Sequence, residues 1–209
     1  QFDLEGKLGE GGLGEVTRAL DQDIGRRVAV KRLKSEVKSD EHLVRFADEV
    51  RTVGQLEHPN IVPIHDVGVD ENGDHYFVMK YVEGETLEEV LLTRQEAKPV
   101  FEKLAAGLSA LHAVGIRHQD LKPANVFLSK VTGYDELQPQ LLDLGVAVRS
   151  GELMAAGSLA YFAPEVAGSW PMPNPAADGK ADVFALALTL REVLEPGTMP
   201  ELPESDAEV

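Results

Sequence analysis

The sequence contains no cysteine, which excludes disulfide staples and thiolate chemistry and fits a reducing compartment, so a cytoplasmic location is expected. It has no run of 18 apolar residues, so no segment reads as a membrane-spanning helix. Basic side chains are scarce, with 20 Lys and Arg against 36 Asp and Glu and a net charge of −16. That balance argues against nucleic acid or an anionic membrane surface as the main partner. Nothing repeats at a fixed period, which excludes a solenoid, and the six histidines lack the close, repeated spacing of a metal site. An initiating methionine and a signal peptide are also absent; the chain opens on Gln1 and reads as a piece cut from a longer protein. What it does have is 43% apolar content over 209 residues, enough to bury a sizeable core in one domain or two small ones.

The most informative stretch is Ile116-Arg117-His118-Gln119-Asp120-Leu121-Lys122-Pro123-Ala124-Asn125-Val126-Phe127-Leu128, which gathers an acid, a base and an amide in one short loop. Phosphoryl transfer needs such a set. Asp120 could accept a proton from an incoming hydroxyl, Lys122 could neutralise the migrating phosphoryl, and Asn125 could offer an oxygen to a metal ion. A second carboxylate, Asp143, ends the apolar run Gln140-Leu141-Leu142, which reads as a strand closing in a turn at Gly145. A strand end of this kind would hold a ligand for a hard cation.

Upstream, Gly9, Gly11, Gly14 and Val16 follow a Gly-x-Gly-x-x-Gly-x-Val pattern. Glycines let the backbone approach phosphates with its N–H groups, and Val16 would lie on a base, although a plain hairpin accounts for the same glycines. In Val28-Ala29-Val30-Lys31 the period-2 alternation puts Ala29 and Lys31 on one face. Ala29 leaves room for a flat base and Lys31 can reach its phosphates; the plain alternative is a solvated edge lysine, and the spacing from the glycines favours the former. Ser39-Asp40-Glu41 looks like a helix start, and Leu43, Phe46, Val50 and Val53 follow at helical spacing until His58-Pro59. Glu49 borders that stripe, where a partner for Lys31 should be, the alternative being a solvated helix face.

Residues 61–82 supply two more strands around the hairpin Asp70–Asp74, completing an antiparallel sheet of about five strands, and Gly84 marks the exit. From Leu87 the period becomes helical, with Phe101, Leu104, Ala105, Leu108, Leu111 and His112 as one apolar stripe and Gly115 as its end. The segment Ala181–Leu190 is apolar nearly all round, hence a central helix, and Glu195–Val209 is an acidic, Pro-rich tail expected to be mobile.

In this order the motifs resemble the catalytic domain of eukaryotic-type Ser/Thr protein kinases, in the style of bacterial members, from Phe2 to about Leu194. The resemblance implies an α+β, bilobal fold. Its N-lobe, a five-stranded antiparallel sheet plus one helix, would span 1–82, and a mainly helical C-lobe lacking its last helices would span 83–194, followed by the tail over 195–209. It implies ATP between the lobes with Mg²⁺, or Mn²⁺ in its place. Lys31, held by Glu49, would grip the phosphates under Gly9, Gly11 and Gly14. Val16, Ala29, Met79, Val82 and Phe127 would enclose the adenine, with Met79 as gatekeeper, the hinge 80–82 bonding the base and Glu85 contacting the ribose. Asn125 and Asp143 would hold the metal; Asp120 would serve as catalytic base beside Lys122. Asp182 would hold the backbone of the catalytic loop, and His118 would be structural.

The resemblance also implies a protein substrate carrying Ser or Thr, and a partner chain or missing segment over the 181–194 helix. Gly157-Ser158-Leu159-Ala160-Tyr161-Phe162-Ala163-Pro164-Glu165 resembles the end of a kinase activation segment, and between it and Gly145 the one hydroxyl is Ser150. Gln119 stands where the family usually has an Arg that pairs with a phosphate there, so activity is expected not to depend on activation-segment phosphorylation. Two other readings stay open. A pseudokinase or ATP-binding regulatory module is compatible with Gln119, with Leu144 in place of the usual Phe, and with the missing helices. Small-molecule phosphotransfer is the other, against which Lys122 and Ala163-Pro164-Glu165 weigh.

Overall fold

The computed structural model describes residues 1–11, 14–33, 47–48, 50–130, 136–142, 160–164 and 179–197. Five strands form the first sheet: β1 (Phe2–Gly11), β2 (Gly14–Asp21), β3 (Arg26–Leu33), β4 (Ile64–Val69) and β5 (His75–Lys80). Their order is β1-β2-β3-β5-β4, antiparallel throughout. Alternation along the strands feeds two apolar faces. Ala19, Val28, Val30 and Val78 pack together on one, and Ala29, Leu33, Phe77 and Met79 join Val50 and Val62 on the other. The β4–β5 turn closes on Asp70, whose Oδ1 accepts the N–H groups of Asn72 and Asp74, each at 2.9 Å.

Residues 47–48 and 50–54 are helical (α1), with Val50 and Val53 buried at its inner face. The helix stops short of the expected His58. Leu56 N–H donates to the Val53 carbonyl at 2.9 Å, tightening the last turn, and the chain beyond it is committed elsewhere. Ile61 bridges Leu141, Leu141 N–H donates to the Asn60 carbonyl, and the Asn60 side chain donates to the Pro139 carbonyl at 2.8 Å. The expected helix start at Ser39–Glu41, with Leu43 and Phe46, lies outside the described residues.

A second sheet of three antiparallel strands follows: β6 (Glu85–Thr86), β7 (Val126–Lys130) and β8 (Leu137–Leu141). The strand expected at 140–144 is thus found earlier, because pairing with β7 starts at Leu137. The helical period expected from Leu87 begins only at Arg94, in α2 (Arg94–Ala113). Thr93 sets that start through a capping box. Its hydroxyl accepts from Glu96 N–H, while the Glu96 carboxylate accepts from Thr93 N–H. At the other end Gly115 takes φ +76°, and Gly115 and Ile116 donate to the carbonyls of His112 and Leu111, a Schellman closure open to glycine at little cost.

The core of this half joins Phe101, Leu104, Leu108 and Leu111 of α2 to Val126, Leu128 and Leu141 of the sheet, and to Ala185 and Val193 of α3 (Gly179–Leu194). Ala105, expected in the apolar stripe, is exposed, and His112 is drawn into a polar contact. α3 is not buried all round. Asp182, Ala185, Thr189 and Val193 face inward at i, i+3/i+4 spacing, whereas Val183 and Phe184 are 58% and 37% exposed. Beyond Gly197 the tail lies outside the described residues.

Candidate functional site

The Asp120 loop leaves α2 at Gly115 and ends in a single 3₁₀ turn, Pro123–Asn125, from which β7 departs. Proline at the first position of that turn needs no N–H partner. Within the loop the acid, base and amide converge. Lys122 Nζ lies 3.1 Å from Asp120 Oδ2, and Asn125 Nδ2 donates to the same oxygen at 2.8 Å and to the Asp120 carbonyl at 2.7 Å. The amide nitrogen is thus committed to Asp120, leaving Asn125 Oδ1 as the oxygen on offer to a cation.

Gln119, directly before Asp120, has φ +63°, a left-handed conformation that a non-glycine residue keeps only when its surroundings hold it. Asp182, 1% exposed at the start of α3, does so. Its Oδ1 accepts from Gln119 N–H at 2.8 Å and its Oδ2 from His118 N–H at 2.9 Å. His118 itself is fully buried and donates from Nε2 to the Leu142 carbonyl at 2.9 Å. Burial pushes its imidazole below the ordinary range against the opposing pull of Asp182 and Asp120. Its Nδ1 has no partner among the described residues, as befits a neutral, structural ring.

The expected adenine residues Val16, Ala29, Met79 and Val82 come together in one apolar cluster with Phe77 and Leu142. Register explains this: Val16 pairs with Lys31, and Ala29 with Met79, across adjacent strands. Lys31 lies on the same face of β3 as Ala29 and is 5% exposed. Burial lowers its ammonium to about 8, with Lys122 adding to the effect and Asp120 opposing it. Phe127 stands apart from the cluster, on β7 opposite Gln140 and Thr86. Glu85 is exposed at the start of β6.

Gly9 pairs with Val16, and Gly11 with Gly14, at the β1–β2 hairpin. Gly14 is needed for packing as well: a Cβ there would lie 2.1 Å from the Arg32 carbonyl oxygen. Glu49, Asp143, Leu144, Gly145, Ser150, Gly157–Leu159 and Glu165 lie outside the described residues. A cavity of about 890 Å³ runs along the expected hinge, bordered by Arg27, Lys80, Tyr81 and Gln140. Of the expected nucleotide residues, Lys80, Tyr81 and Val82 of the hinge border it, and the others do not.

Two contributors escaped the reading of the sequence. Leu142 completes the apolar cluster and its N–H donates to the Asn125 carbonyl; its place in an apolar run next to Asp143 was the available signal. His112, expected on an apolar stripe, instead bonds Asp182, and nothing in its local sequence marks it.

The protein kinase domain family matches residues 2–206 of the chain. The chain belongs to the protein kinase family. As a kinase domain it is similar to bacterial relatives: 37% identical to serine/threonine-protein kinase pkn2 of Myxococcus xanthus, over 92% of this chain and 24% of that protein. It is 38% identical to PknA of Mycobacterium tuberculosis over 80% of this chain and 41% of that one. The chain therefore spans less than half the length of these curated relatives. Among solved structures, the kinase domain of Mycobacterium tuberculosis PknI superposes with a TM-score of 0.73 at 27% identity, covering 97% of this chain and 78% of that one. Kinases of this family use ATP and a divalent metal, and the five-stranded sheet beside a helical half is their fold. Among the described residues no helix is long and apolar enough to cross a membrane.

Proposed function

We propose that the chain is a Ser/Thr protein kinase domain that transfers the γ-phosphoryl of ATP to protein hydroxyls on the cytoplasmic side of the cell, with its lobes dividing at the hinge near Val82. The observation that carries this reading is the convergence of Lys122 and Asn125 on the Asp120 carboxylate, at 3.1 and 2.8 Å, in a loop whose backbone Asp182 holds. The residues present suit ATP. Ala29 is the smallest side chain of its apolar cluster, and Lys31 is a buried cation whose ammonium form a phosphate would favour. They also suit a hard cation, for which Asn125 Oδ1 and Asp143 would supply oxygen ligands. When bound, Mg²⁺ or Mn²⁺ would neutralise charge on the phosphate oxygens.

The protein residues divide the remaining work. Lys31 orients the α- and β-phosphates with Glu49 as its partner, while the glycines of the β1–β2 hairpin cover them and Val16, Ala29, Met79, Val82 and Phe127 contact the base. Asp120 orients the substrate hydroxyl and accepts its proton, and Lys122 offsets charge on the moving phosphoryl. Because Gln119 cannot make the ion pair an Arg would make with a phosphate, Asp182 holds the loop's backbone without one and activity does not require a phosphorylated activation segment. A Ser150→Ala variant should then retain wild-type transfer, and a large loss would refute that independence.

The assignment is tested by transfer from labelled ATP, with Mg²⁺, to the chain itself and to a generic protein substrate. Asp120→Ala should lower transfer about 10²- to 10⁴-fold while nucleotide binding, measured by calorimetry, persists. An Asp120→Ala chain with normal turnover would sink the role of Asp120, and a wild-type chain that binds ATP without transferring it would favour a regulatory nucleotide-binding module.

A further inference from the structure

We infer that the cavity along the expected hinge is a docking site for an extended acidic segment of a partner protein. Arg27 and Lys80 would hold the carboxylates of that segment, and Gln138 and Gln140 its main chain. The inference goes beyond the kinase reading and does not depend on it. The cavity, of about 890 Å³, has walls from both sheets. Arg27 near the start of β3 and Lys80 at the end of β5 come from the first, where Lys80 pairs with Val28, the neighbour of Arg27. Ser129 and its cross-strand partner Gln138, with Gln140, come from the second. Neither Lys31 nor Asp120 borders the cavity, so an occupant leaves both accessible.

Charge selects an acidic occupant. The chain carries a net charge of −16, yet Arg27 and Lys80 border this cavity against a single carboxylate, Glu83, among the described residues. Lys80 is exposed, and its ammonium has no partner among the described residues. Arg27 turns Nε towards Glu5 at 3.3 Å, which leaves its two terminal nitrogens for a carboxylate. His58 adds a third donor: its Nδ1 accepts from Asn60 N–H at 3.2 Å, so the neutral ring carries its proton on Nε2. Nearby His65 reports the same field. Burial lowers its imidazole, and Arg26 and Lys80 push it the same way against Asp21.

The glutamines select an extended chain. Gln138 and Gln140 stand two residues apart on one face of β8, about 7 Å along the strand, which is also the two-residue repeat of an extended peptide. Each donates from Nε2 to the Pro59 carbonyl, at 3.2 and 3.4 Å, and that shared acceptor orients both amides. Each retains a second N–H and Oε1 without a partner among the described residues, a donor and an acceptor that match those of a peptide unit. Gln140 is 6% exposed, so the cavity is the opening left to its amide.

The test is fluorescence anisotropy of a fluorescein-labelled peptide of alternating Glu and Thr, titrated with the whole chain, with thermal melts alongside. The peptide should bind, a Lys-Thr peptide of the same length should not, and added salt should weaken the complex. Arg27→Glu should weaken binding about tenfold or more. Gln138→Met, which keeps the length of the side chain but removes its amide, should weaken it about 3- to 10-fold. Saturating ATP and Mg²⁺ should leave the peptide bound. Absence of binding, equal affinity for the Lys-Thr peptide, or displacement by ATP overturns the inference. Binding that Gln138→Met leaves unchanged, and that inorganic tripolyphosphate abolishes, overturns the peptide occupant in favour of any polyanion. Should Arg27→Glu fail to fold, Lys80→Glu takes its place, and unchanged affinity in the folded variant refutes the charge argument.

Discussion

Lys31 is a lysine whose charge the fold disfavours, and this has a consequence measurable without any substrate. Its side chain is buried, and its ammonium drops from 10.5 to about 8, chiefly through desolvation. Between those two values the unfolded chain holds a proton that the native protein has released. Stability therefore rises with pH from about 8 to 10.5 and receives no pH-dependent contribution from this group below about 8, where both states are charged. At 1.36 kcal/mol per unit the full change is about 3 kcal/mol. Tyrosines and the other lysines titrate in the same range, so the quantity to measure is the difference in unfolding free energy between wild type and Lys31→Met, by urea denaturation at intervals from pH 7.5 to 10.5. That difference should move by about 3 kcal/mol in favour of the wild type across the window, with a maximal slope of about 1.4 kcal/mol per pH unit. With saturating ATP and Mg²⁺ the dependence should shrink, because a phosphate near Lys31 restores the charged form. A difference that stays flat with pH in the free protein would refute the reasoning, since it would mean that Lys31 keeps its ordinary proton affinity in the fold.

Two further outcomes follow from packing. Ala29 is 4% exposed within the cluster of Val16, Met79 and Val82, so Ala29→Leu should fill the base slot and weaken ATP binding about tenfold or more. Calorimetric titration checks this, and unchanged affinity would remove Ala29 from the base site. Gly14→Ala must displace the Arg32 carbonyl oxygen 2.1 Å from the new Cβ, at about 1–3 kcal/mol of stability. A thermal melt with no downward shift would show that β2 and β3 separate freely.

The Asp120 loop of the candidate site was legible in the linear sequence because its residues are local. Asp120, Lys122 and Asn125 sit in one loop, and the 3₁₀ turn that begins at Pro123 needs only five residues to bring the amide back onto the carboxylate. The five-stranded sheet was legible for the same reason, since alternation in Val28–Lys31 and the polar turn at Asp70 report directly on pleat and hairpin. Thr93 was a legible signal that went unread: its capping box with Glu96 moved the start of α2 to Arg94.

Other features depended on neighbours distant in sequence, and only the tertiary structure decided them. Helical periodicity placed His112 on an apolar stripe, but Asp182, seventy residues later, determines what its ring meets. The segment Ala181–Leu190, apolar nearly all round, looked like a central helix, whereas packing against α2 covers one face and leaves Val183 and Phe184 exposed. Leu142 joined the apolar cluster of Val16, Ala29, Met79 and Val82 through the bond between its N–H and Asn125, together with the bridge from Ile61 to Leu141. Residue type and spacing determine which chemistry a loop can perform and which strands form. Which side chain completes a partner's hydrogen bonds is set by the packing of whole elements against one another, and a local pattern does not encode that.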